Sequence, residues 1–332
     1  MALIAVIGAG SWGTALSFSL SNIGHTVKLW AFENEVVESI RTHHENKCFL
    51  PGVILPATIS AYADLSETIR NARFVLTVMP SHVCRSLYEK MLPDLRPEMI
   101  FVSATKGIEE GRLMRMSEVI RSVVEKRFTP RLTVLSGPSF AREVVRGDPT
   151  AVVVASEIPE LSQRIQNEFS SRSLRLYSSN DVVGVEMGGA VKNVIAIAAG
   201  VIEGLGLGHN PMAALITRGL AEMNRLACAC GARSETLAGL AGVGDLVLTC
   251  TGNLSRNRSV GIELGKGRKL TDIIRSMHMV AEGVKTADAT VALAKKHGIE
   301  MPIIRQVQRI LQGSVSPEEA IRELMERTLK NE

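Results

Sequence analysis

The sequence has few cysteines, and none of them has the spacing of a zinc site or of a CxxC redox pair. An odd number of cysteines in mostly apolar surroundings predicts reduced thiols, no disulfide and a reducing compartment. No HExxH motif and no Ser-His-Asp order occurs, and the adjacent histidines match no ligand spacing, so we predict no metal site. The residues concerned are Cys48, Cys84, Cys228, Cys230, Cys250, His43 and His44.

Long apolar runs and runs of basic residues are also missing. The longest apolar run, NVIAIAAGVI, is far shorter than the roughly 20 residues that span a bilayer. The apolar N-terminus lacks the positive segment of a signal peptide. The formal net charge of +4 comes from scattered Lys and Arg, which excludes a typical nucleic-acid or acidic-membrane surface. We expect a cytoplasmic protein without membrane insertion that acts on a small anionic molecule.

The order of apolar and amphipathic segments predicts two domains. Short β-branched runs alternate with helical patterns in the first half, which is typical of a mostly parallel sheet with helices on both faces. After about residue 180 only helical patterns follow, and the last helix is expected to begin behind Ser316 as N-cap. We therefore predict an α/β Rossmann-like domain over residues 1–180 and an all-α domain over 181–332. The expected strands are 3–7, 26–30, 74–78, 99–105, 132–135 and 151–155.

The stretch LIAVIGAGSWGTAL indicates a dinucleotide site. Gly8, Gly10 and Gly13 have the GxGxxG spacing directly after a predicted strand and at the start of a helix. Such glycines allow the tight turn, the close approach of pyrophosphate and the packing of helix on strand. The helix N-terminus then offers N–H groups and a positive dipole to the phosphates.

The choice between NAD and NADP is open from the residues alone. An acidic residue about 20 positions after the glycines favours NAD, and Glu33 lies 20 residues after Gly13. No arginine stands in the LWAFENE stretch to meet a 2′-phosphate, which also favours NAD or the use of both cofactors.

The segment GGAVKNVIAIAAG places Lys192 and Asn193 in otherwise apolar sequence. A buried ion costs several kcal/mol unless it is paired or changes its charge state. Lys192 therefore either extends along its stem to the surface or is kept for chemistry. Desolvation of the amine would lower its pKa toward the range useful for proton transfer.

Four further stretches carry polar groups at places typical of ligand sites. SATKG ends a predicted strand with Lys106, and SGPSFARE follows the next strand with Ser139. GVGDLVLTC places an aspartate and a threonine at i and i+4, and NLSRNRS combines arginine with hydroxyl and amide donors, a set suited to phosphate. Each has a simpler alternative: a solvated lysine, a helix N-cap or an exposed polar loop. The residues of the last two stretches are Asp245, Thr249, Ser255, Arg256, Asn257 and Arg258.

Taken together, these segments resemble the NAD(P)-dependent glycerol-3-phosphate dehydrogenase family of bacterial type. GAGSWGTA, ATKG, SGPSFA, GGAVKNVIAI, ITRGLAEM, GVGDLVLTC and SRNR occur in the family's order and span almost the whole chain. The resemblance implies a Rossmann domain, a helical substrate domain and a homodimer. The implied reaction is reversible hydride transfer between NAD(P)H and dihydroxyacetone phosphate, giving sn-glycerol 3-phosphate, a glycerophospholipid precursor.

The resemblance also implies roles for individual residues. Lys192 would be catalytic, while Lys106 and Arg256 would contact both ligands. Phe32 departs from the family, in which Arg or His is common near the adenosine ribose, so the preference for NADP is in doubt. The other implied cofactor contacts are Ser11, Trp12, Ala141, Val280 and Glu282, beside Gly8, Gly10 and Gly13 of the glycine motif, and the other implied substrate contacts are Gly137, Ser139, Asp245, Ser255 and Asn257. From the residues themselves, Asn193, Asp245 and Thr249 are candidates to orient Lys192 and to bind the substrate hydroxyls.

Two alternative functions remain at this point. Dehydrogenases of the 6-phosphogluconate or 3-hydroxyisobutyrate type also carry a helical lysine after a Rossmann domain, although the GDLVLTC and SRNR segments argue against them. A catalytically silent NAD-sensing module would need only the glycine motif, and it would have no reason to keep Lys192, Asp245 and Arg256 together.

Overall fold

The computed structural model describes residues 1–277 and 281–329. Within them the chain forms two units: the first comprises residues 1–106 and 114–186, and the second comprises 107–113 and 187–332. The domain boundary expected at 180/181 lies just before a long helix, and the two units divide inside that helix.

The first unit is built on an eight-stranded sheet with the order β3-β2-β1-β4-β5-β6-β7-β8. Neighbouring strands are parallel except β6 and β7, which are antiparallel. The predicted fold class is confirmed, and all six predicted strands are present. The strands are β1 (Leu3–Ile7), β2 (Thr26–Trp30), β3 (Ile59–Tyr62), β4 (Phe74–Thr77), β5 (Ile100–Ser103), β6 (Arg131–Ser136), β7 (Thr150–Ala155) and β8 (Leu174–Ser179).

Helices cover both faces of this sheet. On β1, Ile4 and Val6 belong to one buried cluster, whereas Ala5 and Ile7 belong to a second cluster on the other face. Strands buried on both faces read as continuous apolar runs, which is why the pattern predicted them. The helices of this unit are α1 (Ser11–Asn22), α2 (Asn34–His43), α3 (Leu65–Ile69), α4 (Cys84–Met91), α5 (Met116–Val124), α6 (Ala141–Arg146) and α7 (Pro159–Phe169).

The register of the parallel strands gathers their carboxyl ends at one edge. Ile7 pairs with both Trp30 and Thr77, and Thr77 pairs with Ser103. The loops that follow these four residues therefore lie side by side, at the edge where open α/β sheets bind ligands.

The second unit is helical. Its first helix, α8, begins in the first unit, and among the described residues it is the single helix long and apolar enough to cross a membrane. Its apolar window is 89% buried inside the structure, which is the environment of a core helix. The helices are α8 (Val182–Gly204), α9 (His209–Ala229), α10 (Ser234–Leu237), α11 (Asp245–Thr251), α12 (Arg256–Gly265), α13 (Leu270–Ser276), α14 (Glu282–Lys296), α15 (Pro302–Leu311) and α16 (Pro317–Met325).

The start of α16 agrees with the sequence. Ser316 is the N-cap, and its hydroxyl accepts a hydrogen bond of 3.1 Å from the backbone N–H of Glu319. This contact satisfies one of the N–H groups that the first helical turn leaves without a backbone partner.

Helices α8 and α12 touch backbone to backbone. Gly200 and Gly204 on α8 face Gly261 and Gly265 on α12, each pair in GxxxG spacing. A Cβ atom at Gly261 would lie 2.0 Å from the carbonyl oxygen of Ile197. Since no side chain separates the helices, the first turn of α12 is fixed close to the middle of α8.

We predict that Gly261→Ala destabilises the protein and that Gly208→Ala does not. The first change forces the helices apart, and such overpacking costs about 1–3 kcal/mol or more in the free energy of unfolding. At Gly208 the φ is −83° and a Cβ meets nothing within 4 Å, so the change should stay within about 0.5 kcal/mol. Urea denaturation measures both, and equal stability of the two variants would refute the close contact.

Candidate active site

The glycine motif forms the turn between β1 and α1. Gly8 has a φ of +119°, and a Cβ there would lie 2.6 Å from the carbonyl oxygen of Val78. A Cβ at Gly13 would lie 1.9 Å from the carbonyl oxygen of Gly8. At Gly10, by contrast, a Cβ would meet nothing within 4 Å, so this side of the turn is open to a ligand. The three glycines therefore have the predicted division of roles, and the turn fits a dinucleotide.

The first turn of α1 presents backbone N–H groups at this opening. Gly10 is the N-cap, and the first bond inside the helix runs from Thr14 N–H to the Gly10 carbonyl at 2.9 Å. Ser11 and Trp12 follow Gly10 as the first two residues of α1, and the N-terminus of a helix is a favourable place for a phosphate. The Ser11 hydroxyl donates to the Phe49 carbonyl at 2.6 Å, which ties the start of α1 to that residue.

A second group of the expected residues meets at Gly137 in the same unit. Lys106 Nζ and Ser139 Oγ both donate to the Gly137 carbonyl, at 3.2 and 3.1 Å. Gly137 has a φ of +140°, a conformation that favours glycine. Ala141, an expected cofactor contact, is the first residue of α6.

Lys192 is buried in the second unit, with 6% of its surface exposed. Its Nζ donates to Asp245 Oδ1 and to Thr249 Oγ1, both at 2.6 Å. The alternative that Lys192 extends to the surface is therefore wrong. Asp245 and Thr249 lie one turn apart on α11, as the i, i+4 spacing predicts, and the N-cap of α11 is Gly244 rather than Asp245.

The buried amine of Lys192 has a carboxylate beside it. Asp245 is 1% exposed, and a carboxylate at hydrogen-bond distance stabilises the ammonium form of the lysine. Burial raises the pKa of the neighbouring Cys250 thiol to about 12, so this cysteine stays protonated at neutral pH. The buried cluster therefore holds an amine, a carboxylate and a hydroxyl next to a protonated thiol.

A close backbone contact places Asp245 beside α8. The turn Leu240–Gly244 is π-helical, and a Cβ at Gly188 of α8 would lie 2.2 Å from the carbonyl oxygen of Ala241 in that turn. Isolated π turns are frequent at functional sites. Here the turn brings the start of α11 against α8, so that Asp245 reaches the ammonium.

Two buried amides connect three helices next to this cluster. Asn257 Nδ2 donates to Asn193 Oδ1 at 3.0 Å, and Asn257 Oδ1 accepts from the Gly283 N–H at 2.9 Å. The other described bond of Asn193 is to the Gly189 carbonyl at 3.4 Å. Asn193 was expected to orient Lys192, but these bonds tie α8 to α12 and to α14.

The SRNR segment is the beginning of α12 and not an exposed loop. Ser255 is its N-cap and accepts from the Arg258 N–H at 3.2 Å. Arg258 forms an ion pair with Glu203 of α8, which gives it a structural role. Arg256 is half-buried, and this burial lowers its pKa while nearby Glu282 opposes the shift. The guanidinium thus lies at a helix N-terminus, where anions bind readily.

The structure thus collects the expected residues into local groups within each unit. Val280, an expected cofactor contact, lies outside the described residues. Sequence reasoning missed Asn46, which is fully buried against the glycine turn, and Gly283, which meets Asn257. An isolated Asn in a polar stretch gives no periodic signal, so pattern analysis had no means to find Asn46.

Comparison with known proteins agrees with the site. Family models described as the NAD-dependent glycerol-3-phosphate dehydrogenase N-terminus and C-terminus match residues 3–162 and 181–322. A relative from Koribacter versatilis named glycerol-3-phosphate dehydrogenase [NAD(P)+] is 58% identical over 98% of both chains. A relative of the same name from Citrifermentans bemidjiense is 53% identical over 99% of this chain and 98% of its own.

A solved structure shows the same architecture over nearly its whole length. The glycerol-3-phosphate dehydrogenase from Coxiella burnetii superposes with a TM-score of 0.94 at 41% sequence identity, covering 98% of this chain and 99% of its own. The glycine turn, the buried lysine and these matches lead to one conclusion: the chain belongs to the NAD-dependent glycerol-3-phosphate dehydrogenase family.

Proposed function

We propose that Lys192 is the proton donor in reversible hydride transfer between NAD(P)H and dihydroxyacetone phosphate, the reaction that gives sn-glycerol 3-phosphate. The observation that carries this proposal is the buried ammonium held at 2.6 Å by both Asp245 and Thr249. The direction of a lysine held in this way is fixed before the substrate arrives, which is how preorganised donors lower a barrier.

The chemistry requires a donor at the ketone oxygen. A nicotinamide dinucleotide held at the glycine turn would supply the hydride, and the ketone oxygen would then carry the developing negative charge. Lys192 hydrogen-bonds the oxygen as an ammonium and transfers a proton to it, while Asp245 and Thr249 hold the amine in place. In the direction of oxidation, the neutral amine accepts the hydroxyl proton.

Arg256 is proposed to bind the substrate phosphate at the beginning of α12. It combines a guanidinium with the N–H groups of a helix N-terminus, and both attract phosphate. Asn257 is neutral and uses its oxygen and one of its two amide hydrogens inside the protein, so Arg256 supplies the positive charge of this segment to the phosphate. Lys106, Gly137 and Ser139 are proposed as further substrate contacts, and Lys106 also as a cofactor contact.

The cofactor is NAD or NADP, and we propose that this chain favours NAD. The Gly8 N–H donates to the Trp30 carbonyl at 3.1 Å, which fixes the end of β2 beside the glycine turn. Glu33, the N-cap residue of α2, uses no side-chain oxygen for capping. A carboxylate there would accept a hydrogen bond from the ribose 2′-hydroxyl of NAD and would repel the 2′-phosphate of NADP. Phe32, which is 80% exposed, offers no cation to that phosphate.

We also propose that the chain works as a cytoplasmic homodimer, with the first unit binding cofactor and the second carrying the catalytic lysine. The family resemblance supports the dimer. All five cysteines are free thiols, which is in keeping with a reducing compartment.

Lys192→Met is expected to lower kcat about 100- to 10,000-fold, because the acid–base group is lost. The Kd for NADH should change less than about threefold, since the proton donor acts on the substrate oxygen and is not needed to bind the cofactor. Stopped-flow turnover and fluorescence titration measure the two quantities. Lys296→Met, an exposed lysine on α14, is the matched control.

Removing Lys192 takes away the cation that faces the buried Asp245 carboxylate, and breaking one partner of a buried ion pair destabilises a protein strongly. The double variant Lys192→Met with Asp245→Asn therefore restores a neutral site for comparison. If either folded variant turned over at a rate near the wild type, Lys192 would have no part in the proton transfer.

Arg256→Ala is expected to raise the KM for dihydroxyacetone phosphate about 10- to 100-fold, because a hydrogen-bonded charge contact contributes about 1.5–3 kcal/mol. Inhibition by inorganic phosphate should weaken in parallel. Arg275→Ala, an exposed arginine of α13, should leave both values unchanged. A variant in which only NADH affinity changed would remove Arg256 from the phosphate site.

The wild type is expected to use NADH with a kcat/KM at least about tenfold above that for NADPH, equivalent to roughly 1.4 kcal/mol. Glu33→Gln should narrow this ratio, and Phe32→Arg combined with Glu33→Gln should reverse it. Glu38→Gln, an exposed change further along α2, serves as control. Direct Kd values for both cofactors provide the second measurement, and equal affinity of the wild type for the two would contradict the assignment.

A further inference from the structure

A buried amide outside the glycine motif holds the motif in shape. Asn46 is 0% exposed, and its Nδ2 donates to the Ala9 carbonyl at 2.7 Å and to Thr14 Oγ1 at 2.9 Å. Thr14 Oγ1 also donates to the Ala9 carbonyl, at 3.2 Å. The carbonyl of Ala9, the variable residue between Gly8 and Gly10, is therefore held by two donors.

The direction of this carbonyl decides the direction of an N–H group. The Ala9 C=O and the Gly10 N–H belong to one planar trans peptide, so they point to opposite sides. Asn46 turns the C=O into the protein interior. The Gly10 N–H is consequently directed away from Asn46, and at Gly10 the space for a Cβ is open.

We infer that Asn46 is a positioning residue for the cofactor: it sets the Ala9–Gly10 peptide so that an N–H, and not a carbonyl oxygen, faces the pyrophosphate. The inference rests on the cofactor lying at the glycine turn. A peptide rotated the other way would present a lone pair to an anion. Asn46 acts through this peptide and does not itself touch the reacting atoms.

The segment that carries Asn46 is built to keep it there. Leu50 N–H donates to the Asn46 carbonyl at 2.9 Å, and Leu50 packs with Ala15 of α1. Asn46 Oδ1 accepts from the Phe49 N–H at 3.0 Å, and the Phe49 carbonyl accepts from Ser11 Oγ. One turn, 46–50, thus contacts the glycine motif through Asn46 and through Phe49.

The two ends of the Asn46 amide have separable tasks. Its oxygen closes the turn 46–50, whereas its nitrogen binds the glycine motif. Asn46→Asp keeps an acceptor for the Phe49 N–H but places an oxygen where the nitrogen was, opposite the Ala9 carbonyl. Two acceptors then face each other, so the peptide loses its fixed direction and a carboxylate lies near the phosphates.

Two measurements test this inference. The protein is titrated with NADH while its tryptophan fluorescence is recorded, and steady-state kinetics give the KM and kcat. Asn46→Asp is expected to raise the Kd and the KM for NADH at least tenfold, with a smaller change in kcat and no change in the KM for dihydroxyacetone phosphate. Thr14→Val, which removes the second donor to the Ala9 carbonyl, should shift the NADH Kd in the same direction by less.

Ser39→Ala is the matched control. Ser39 Oγ donates to the Glu45 carbonyl at 2.7 Å, so this change loosens the neighbouring segment from α2 without touching the glycine motif. Its NADH Kd should stay within twofold of the wild type. If Ser39→Ala weakened NADH binding as much as Asn46→Asp does, general loosening of the segment would explain the effect and the inference would fail.

A folded Asn46→Asp variant with an NADH Kd within twofold of the wild type would also overturn the inference. If that variant does not fold, Asn46→Ser and Thr14→Val decide the question by the same Kd measurement. The titration needs no turnover, so failure of the proposed role of Lys192 would leave this result intact and would be recognised separately.

Discussion

The helices of the second unit hold Lys192 and Asp245 together as a buried ion pair. Two charges removed from water cost several kcal/mol each, and their attraction offsets this only when the geometry is good. The geometry here is supplied by two elements, the apolar helix α8 and the short helix α11 that follows a π-helical turn. Thr249 completes the arrangement by donating to the Asp245 carbonyl at 2.6 Å, one turn back on its own helix. A pair built at this cost is more readily understood as preparation for chemistry than as a contribution to stability.

Close backbone approach is the means by which the pair is assembled. Gly188 lets the turn before Asp245 contact the backbone of α8. Gly200 and Gly261 let α12 contact the same helix closer to its C-terminal end. Gly283, whose Cβ would lie 2.5 Å from the Asn193 carbonyl, brings the start of α14 to the same helix. The apolar helix α8 thus carries the lysine, and both the SRNR helix and the start of α14 near Glu282 pack directly against it.

The sequence was informative where one physical signal dominated. Strands buried on both faces, the glycine fingerprint and the i, i+4 pair of Asp245 and Thr249 were all predicted and are present. The edge strands β3 and β8 were missed because each is only partly buried and lacks a continuous apolar run. An exposed polar loop remained an alternative for the SRNR stretch because the glycines of α12 lower helix propensity, and the reason for these glycines is contact with a distant helix. Asn46 was missed because a single long-range hydrogen-bonding side chain leaves no pattern in its neighbourhood.

The contact between α8 and α12 has a consequence for how this protein can change. An ordinary core position tolerates graded replacement, since Leu, Ile, Val and Met differ by a methyl group or by shape. A position where a Cβ would lie 2.0 Å from a neighbouring carbonyl has no next-smaller option and no nearby alternative. In a saturation library every replacement of Gly200 or Gly261 would be destabilising, whereas the surrounding apolar sites would accept several different residues. Substitutions can alter the ligand-facing ends of these helices. The distance between the two helices, however, depends on glycines that carry no Cβ atom at the crossing.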